Sequence, residues 1–130
     1  MLWNLDELRT GVDLEPGPAS ETCPPTRGVY YPGERYRGEP TRVFAYLAEP
    51  AGDEATHTLR GGRRPGIVLA HGGGGSAFAE WAQMWAKRGY VAIAPDFGGR
   101  GPDGTPMPDG GPDQNHRQKF SDIALGLREC

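Results

Sequence analysis

Bulky aliphatic side chains and phenylalanine are scarce in this sequence. Leu, Ile, Val and Phe together supply only 21 of the 130 residues, below the share of about a fifth under which a chain has difficulty building a core. Glycine and proline, with 21 and 13 copies, are correspondingly abundant. The composition therefore favours a part of a larger folded unit over a self-sufficient domain. The apolar residues are nevertheless gathered into short runs, which does not indicate general disorder.

An excess of charge of one sign, a cysteine framework and long apolar runs are also lacking. A formal net charge of −3 with dispersed basic residues excludes the electrostatic footprint of nucleic-acid or anionic-membrane binding. No run approaches the roughly 20 apolar residues of a membrane span, and the N-terminus has no signal-peptide pattern. Cys23 and Cys130 are distant and form no metal-binding pattern. We therefore expect a cytoplasmic location, no nucleic-acid or membrane partner, no metal and no cofactor.

The chain is predicted to divide at residue 28, into an N-terminal arm over residues 1–28 and a folded domain over residues 29–130. Prolines between residues 11 and 28 predict a surface arm without regular structure. Residues 29–36 and 41–48 then show the alternating pattern of two antiparallel strands. We expect a hairpin here.

Two continuous apolar runs follow, GIVLA at 66–70 and YVAIA at 90–94. The first predicts a strand buried on both faces. Between them lies a segment with apolar residues at helical spacing, for which Ser76 is the expected N-cap. Strand, helix and strand within about 30 residues indicate a βαβ unit of a mostly parallel sheet. A last helix is expected after residue 113, with one apolar face formed by Phe120, Ile123, Ala124 and Leu127.

The sequence HGGGGS, residues 71–76, lies where the first apolar strand turns into the helix. Backbone N–H groups at such a turn are unpaired and lie at the positive end of the helix dipole, so the turn binds negative charge. The bound group is either the oxyanion of an acyl-transfer reaction or the pyrophosphate of a dinucleotide.

The dinucleotide alternative is a Rossmann-type module. It uses Gly72, Gly74 and Ala77 as a G-x-G-x-x-A pattern, with Asp96 at the end of the next strand as the ribose-binding acid. Such a domain usually begins near its fingerprint strand, whereas here about 65 residues with their own strands precede it. The residue before the first glycine is His71, which also favours the oxyanion site of an acyl-transfer enzyme.

The runs PGIVLAHGGGG and EWAQMWAKRGYVAIAPDFGGRG resemble the front half of α/β-hydrolases. In that family a histidine–glycine turn ends the third strand, and a segment of the form GY-apolar-A-P-D-x-x-G-x-G forms the fourth. GSAFAEW, residues 75–81, is similar to the dienelactone-hydrolase-like and acetylxylan-esterase-like serine hydrolases. The resemblance extends from about Val29 onward and is most specific over residues 65–101. It implies an α/β fold that is the N-terminal part of an α/β-hydrolase, ending before the strand that carries the nucleophile.

The resemblance also implies a Ser–His–acid enzyme that hydrolyses small-molecule or carbohydrate esters, or lactones, without a cofactor. An amide of the turn, at Gly73 or Gly74, would hold the oxyanion. His71, Gly72 and Gly75 would give the turn its shape.

A nucleophile is not recognisable in this sequence. None of Ser20, Ser76 and Ser121 lies in a G-x-S-x-G elbow. The whole triad is therefore expected beyond Cys130, and the chain is expected to be inactive alone. A non-catalytic partner module that retains the front of the fold is the remaining alternative.

Overall fold

The computed structural model describes residue 6 and residues 10–51, 63–72 and 75–111. Within these residues the chain forms one five-stranded sheet and one helix, in the order β1 (Glu15–Ala19), β2 (Arg27–Tyr36), β3 (Glu39–Ala48), β4 (Gly66–Val68), α1 (Ala79–Ala86) and β5 (Val91–Pro95). The spatial order of the strands is β1-β2-β3-β5-β4. The fold class is therefore mixed α/β.

Strand directions differ from the expected mostly parallel sheet. β1 with β2, β2 with β3, and β3 with β5 are antiparallel pairs, and β4 with β5 is the parallel pair. The expected hairpin is β2 and β3, and the expected strand, helix and strand are β4, α1 and β5. The mostly parallel prediction is wrong for the described residues, because β1 and the hairpin supply three of the five strands.

The prediction that residues 11–28 lack regular structure is wrong for β1. This strand contains Pro16 and Pro18, yet it pairs with β2. It lies at the edge of the sheet, where only one side of the strand is hydrogen-bonded and a residue without an N–H group is tolerated. The division of the chain at residue 28 stays a prediction.

The residues between β1 and β2 contact α1. The side-chain amide of Gln83 donates to the carbonyl of Pro24 at 2.8 Å, and the hydroxyl of Thr22 donates to the carboxylate of Glu80 at 3.2 Å. Three side chains of this connection are buried: Ser20, Cys23 and Thr26. The connection therefore packs as part of the folded unit.

Side chains of the sheet alternate between two faces, which we call face A and face B. α1 packs on face A, where Ala82 and Ala86 meet Ala48, Ala92 and Ala94. Small side chains on both elements let the helix approach the sheet closely. Face B is formed by Val29, Ala45 and Leu47, with Tyr31, Val91 and Ile93 packed against them.

Two sequence predictions around β4 and α1 differ from the structure. β4 is not buried on both faces: Val68, opposite Ile93 on face B, is 66% exposed, because β4 lies at the sheet edge and no described helix or strand packs on face B. α1 begins at Ala79 with Phe78 as its N-cap and has no side-chain cap, so the Ser76 prediction is wrong. The predicted last helix lies outside the described residues. Over the described part of the chain, no helix has the length and apolar character that crossing a membrane requires.

Candidate functional site

The glycine turn and Asp96 lie at the same edge of the sheet. β4 and β5 are parallel neighbours, so their carboxyl ends point the same way. His71 follows β4 and Asp96 follows β5 directly. Ligands of α/β sheets bind outside the carboxyl ends of the strands, and this edge is therefore the candidate site.

The His71 ring joins the glycine turn to the segment after β5. Its Nε2 atom accepts the backbone N–H of Phe97 at 3.0 Å, and its Nδ1 atom lies 2.8 Å from the carbonyl oxygen of Gly72. A backbone N–H can only donate, so Nε2 is the unprotonated nitrogen and Nδ1 donates its proton to Gly72. The rings of His71 and Phe97 are also in contact, with centroids 5.4 Å apart. Both nitrogens of His71 are thus engaged.

The turn is closed by a hydrogen bond of its own. The N–H of Gly75 donates to the carbonyl of Gly72 at 3.0 Å, so this carbonyl accepts from both Gly75 and His71. A methyl group on Gly75 would lie 2.9 Å from His71 Nδ1 and 3.1 Å from the Gly72 oxygen, which explains the glycine there. The Gly75 amide is used inside the turn and does not point to a ligand. The predicted oxyanion residues, Gly73 and Gly74, lie outside the described residues, and their role stays a prediction.

Asp96 is a buried carboxylate that shapes the loop after β5. It is 3% exposed, and its Oδ1 atom accepts the N–H groups of Gly98 at 2.7 Å and Arg100 at 3.0 Å. The Oδ2 atom is buried and has no hydrogen-bond partner among the residues that the structure describes. A ribose-binding acid has to reach its ligand from the strand end. A carboxylate that is buried within its own loop weighs against that role.

Residues 96–111 form a loop that is fastened to the sheet. The backbone N–H of Arg42 donates to the carbonyl of Asp109 at 2.7 Å, and Arg42 Nε lies 2.9 Å from a carboxylate oxygen of Asp109. Within the loop, Met107 N–H donates to the Gly99 carbonyl. Hydrogen bonds from the amide and hydroxyl of Thr105 lower the pKa of Asp103 below its ordinary value.

Sequence reasoning missed Phe97 and the pair of Arg42 and Asp109. Phe97 acts through its backbone N–H, which no side-chain pattern reports. Arg42 and Asp109 are far apart in the chain and meet only because the loop returns to β3. Ser76 is half-buried between the turn and α1, as is Ala77 of the dinucleotide pattern.

Replacing His71 by phenylalanine is expected to lower the free energy of unfolding by about 1–3 kcal/mol. The ring contact with Phe97 is kept, but the Phe97 N–H loses its acceptor, and the Gly72 carbonyl keeps only the hydrogen bond from Gly75. Urea denaturation measures the loss, and faster hydrogen exchange of the Phe97 amide localises it. His71→Gln can restore the acceptor for Phe97 and His71→Asn the donor for Gly72, so both variants should be more stable than His71→Phe. A phenylalanine variant as stable as the parent would show that these hydrogen bonds do not hold the turn.

The site therefore consists of a glycine turn tied down by His71, the N-terminus of α1 and a loop ordered by Asp96. In the part of the chain that the structure describes, no three His, Cys, Asp or Glu side chains are grouped so that they could hold a metal ion. Comparisons with models of protein families, with curated proteins and with solved structures find no match to this chain.

Proposed function

We propose that this chain is the N-terminal part of a serine hydrolase that acts on carboxylic esters or lactones, of the dienelactone-hydrolase-like or acetylxylan-esterase-like type. The turn at residues 71–76 supplies the oxyanion site. The observation that carries this proposal is the double attachment of the turn, through the His71 ring to Phe97 and through Gly75 to Gly72.

This attachment suits oxyanion binding. An oxyanion site works because its donors are already aimed before charge develops, so that no reorganisation is needed in the transition state. The Gly72 carbonyl accepts two hydrogen bonds, and the Gly75 amide is consumed in one of them. The donor to the substrate is then the amide of Gly73 or Gly74.

The same hydrogen bonds give His71 a positioning role. A general base needs a nitrogen lone pair that is free to accept a proton from the nucleophile. The lone pair of Nε2 accepts the Phe97 N–H, and Nδ1 donates to Gly72. His71 is therefore unsuited to act as the catalytic base, which agrees with a triad that lies beyond Cys130.

The arrangement of the strands supports a hydrolase over a dinucleotide-binding domain. In the dinucleotide fold, the fingerprint strand belongs to an open parallel sheet whose successive strands all run the same way. Here β5, next to the strand that precedes the turn, pairs on its other side with the antiparallel strand β3. The earlier hairpin thus occupies the position that a third parallel strand would need.

The test compares this chain with a longer protein that includes the coding sequence after Cys130. We expect the 130-residue chain to show no turnover of p-nitrophenyl acetate above the solvent blank and no labelling by a fluorophosphonate probe. The longer protein should be labelled on a serine within a G-x-S-x-G elbow about 20 to 30 residues downstream. Labelling of Ser76 in the short chain would place the nucleophile in the turn itself. Further βαβ units without an elbow would favour the dinucleotide alternative.

A further inference from the structure

Both ends of the loop formed by residues 96–111 are attached to β3. At its start the N–H of Asp96 donates to the carbonyl of Phe44 at 2.8 Å. Near its end the carbonyl of Asp109 accepts the N–H of Arg42 at 2.7 Å. Phe44 and Arg42 are two residues apart on β3, so the two attachments lie about 7 Å from each other along the strand. The loop is therefore closed at its base.

The backbone at Gly99 packs directly against the backbone at Gly110 in this base. A methyl group added to Gly110 would lie 2.9 Å from the Cα atom of Gly99 and nearer still to its carbonyl group. One added to Gly99 would lie 3.0 Å from the carbonyl carbon of Gly110. The Gly99 carbonyl also accepts the N–H of Met107 at 2.9 Å. The close packing leaves no room for a side chain on either glycine.

This backbone contact is near the hydrogen bond that holds the glycine turn. Phe97, whose N–H donates to His71 Nε2 at 3.0 Å, comes two residues before Gly99. The Oδ1 atom of Asp96 accepts the backbone N–H groups of the residues on either side of Gly99. Because these hydrogen bonds leave the short span little freedom, a displacement of Gly99 has to displace Phe97 as well.

We propose that Gly110 is a positioning residue for the glycine turn. Its contact with Gly99 sets the place of the Phe97 N–H, and this N–H holds the His71 ring against the turn. Coupling between separated positions is carried by packed groups and hydrogen bonds that touch one another, and each step here is such a contact. The consequence for an oxyanion rests on the proposed function, whereas the effect on Phe97 and His71 does not.

Two alanine variants of the 130-residue chain test the proposal. Gly110→Ala pushes against the Gly99 backbone, whereas a methyl group on Gly101, in the same loop, would make ordinary contacts at 3.5 Å. Neither Gly110 nor Gly101 has a positive φ, so alanine suits the backbone at both positions. We expect the Phe97 amide to exchange about 10-fold faster or more in Gly110→Ala, and at the parental rate in Gly101→Ala.

Nitrogen NMR of His71 follows the next step. In the parent, Nε2 should appear as the unprotonated nitrogen and Nδ1 as the protonated one. In Gly110→Ala the two chemical shifts should approach each other, because loss of the Phe97 N–H lets the neutral tautomers interchange. A folded Gly110→Ala variant with parental Phe97 exchange and a parental His71 spectrum would overturn the proposal. So would equal changes in Gly101→Ala, which would indicate general loosening of the loop.

A second pair of variants decides the matter if Gly110→Ala does not fold. Asp109→Asn weakens the ion pair with Arg42 Nε at 2.9 Å, beside the glycine contact. Glu49→Gln makes the same change in the ion pair with Arg27, which lies outside the loop. We expect about 1.5- to 5-fold faster exchange of the Phe97 amide in Asp109→Asn only. Equal exchange in these two variants would overturn the proposal.

The longer, nucleophile-containing protein connects the positioning role with catalysis. We expect Gly110→Ala to lower kcat about 10- to 100-fold with KM nearly unchanged, and Gly101→Ala to change neither. A parental kcat in Gly110→Ala would overturn the proposal, because the turn would then keep its shape without this contact. If the longer protein is inactive while Phe97 and His71 respond as expected, the proposed function fails and the positioning role stands.

Discussion

Replacing Ala82 by aspartate is expected to remove most of the stability of this fold. Ala82 is 0% exposed and lies among Ala48, Ala92 and Ala94 under α1. The members of this cluster are apolar, so the new carboxylate would be buried without a partner. An uncompensated buried charge costs about 3–5 kcal/mol, against a total stability of about 5–15 kcal/mol for a typical domain.

Met84→Asp is the matched control. Met84 belongs to the same helix but is 41% exposed, so its aspartate variant has a similar loss of helix propensity, about 0.7 kcal/mol at most, without the buried charge. Circular dichroism during urea denaturation measures both variants. Equal denaturation midpoints would show that α1 does not pack on face A as the structure has it.

The Ala82 result bears on the candidate site because α1 follows the glycine turn directly. The turn is fixed at its start by His71 and at its end by the packing of α1. Loss of the helix would therefore release one end of the turn. The hydrogen bond from the Phe97 N–H to His71 at the other end could still form. In a variant in which only α1 unfolds, the amide hydrogen of Trp85 would exchange faster than that of Phe97.

Local sequence patterns predicted the elements that depend on nearest neighbours. The alternation in residues 41–48 identified β3, and the apolar runs identified β4 and β5 to within a few residues. The predicted strand at 66–70 is longer than β4, but the N–H of Leu69 still donates to the carbonyl of Ile93 at 2.9 Å. Alternation and apolar runs report side-chain burial, which is what these strands share.

Features that depend on position in the sheet were not predictable in this way. The two prolines of β1 look incompatible with a strand until its place at the edge is known. The exposure of Val68 likewise follows from the position of β4 at the other edge. The start of α1 was misplaced because Ser76 has the right chemistry for a cap, whereas the backbone turns into the helix only after Phe78.

The candidate site shows the same limit. The motif predicted a turn shaped by His71, but the acceptor role of Nε2 depends on Phe97, which is 26 residues away. The burial of Asp96 could not be predicted from the sequence either, because an aspartate at this position also fits a ribose-binding acid. Chemistry at a strand end can be proposed from a motif, while the choice between ligands needs the direction in which each polar atom points.

Removal of one turn amide is expected to lower kcat by about 100- to 1,000-fold in the longer, nucleophile-containing protein. Gly73→Pro and Gly74→Pro each remove one backbone N–H, while Gly73→Ala and Gly74→Ala keep it. We expect one of the two proline variants to show the large loss, with KM nearly unchanged, because the donor acts on charge that develops only in the transition state.

The alanine variants separate the lost donor from a distorted turn. If an alanine variant loses as much activity as the proline variant at the same position, the loss reflects the shape of the turn and not the missing N–H. Melting temperatures close to that of the parent are required for the comparison. If neither proline variant lowers kcat, the oxyanion is held elsewhere, and the glycines of the turn serve only the close approach of Gly75 to His71 and Gly72.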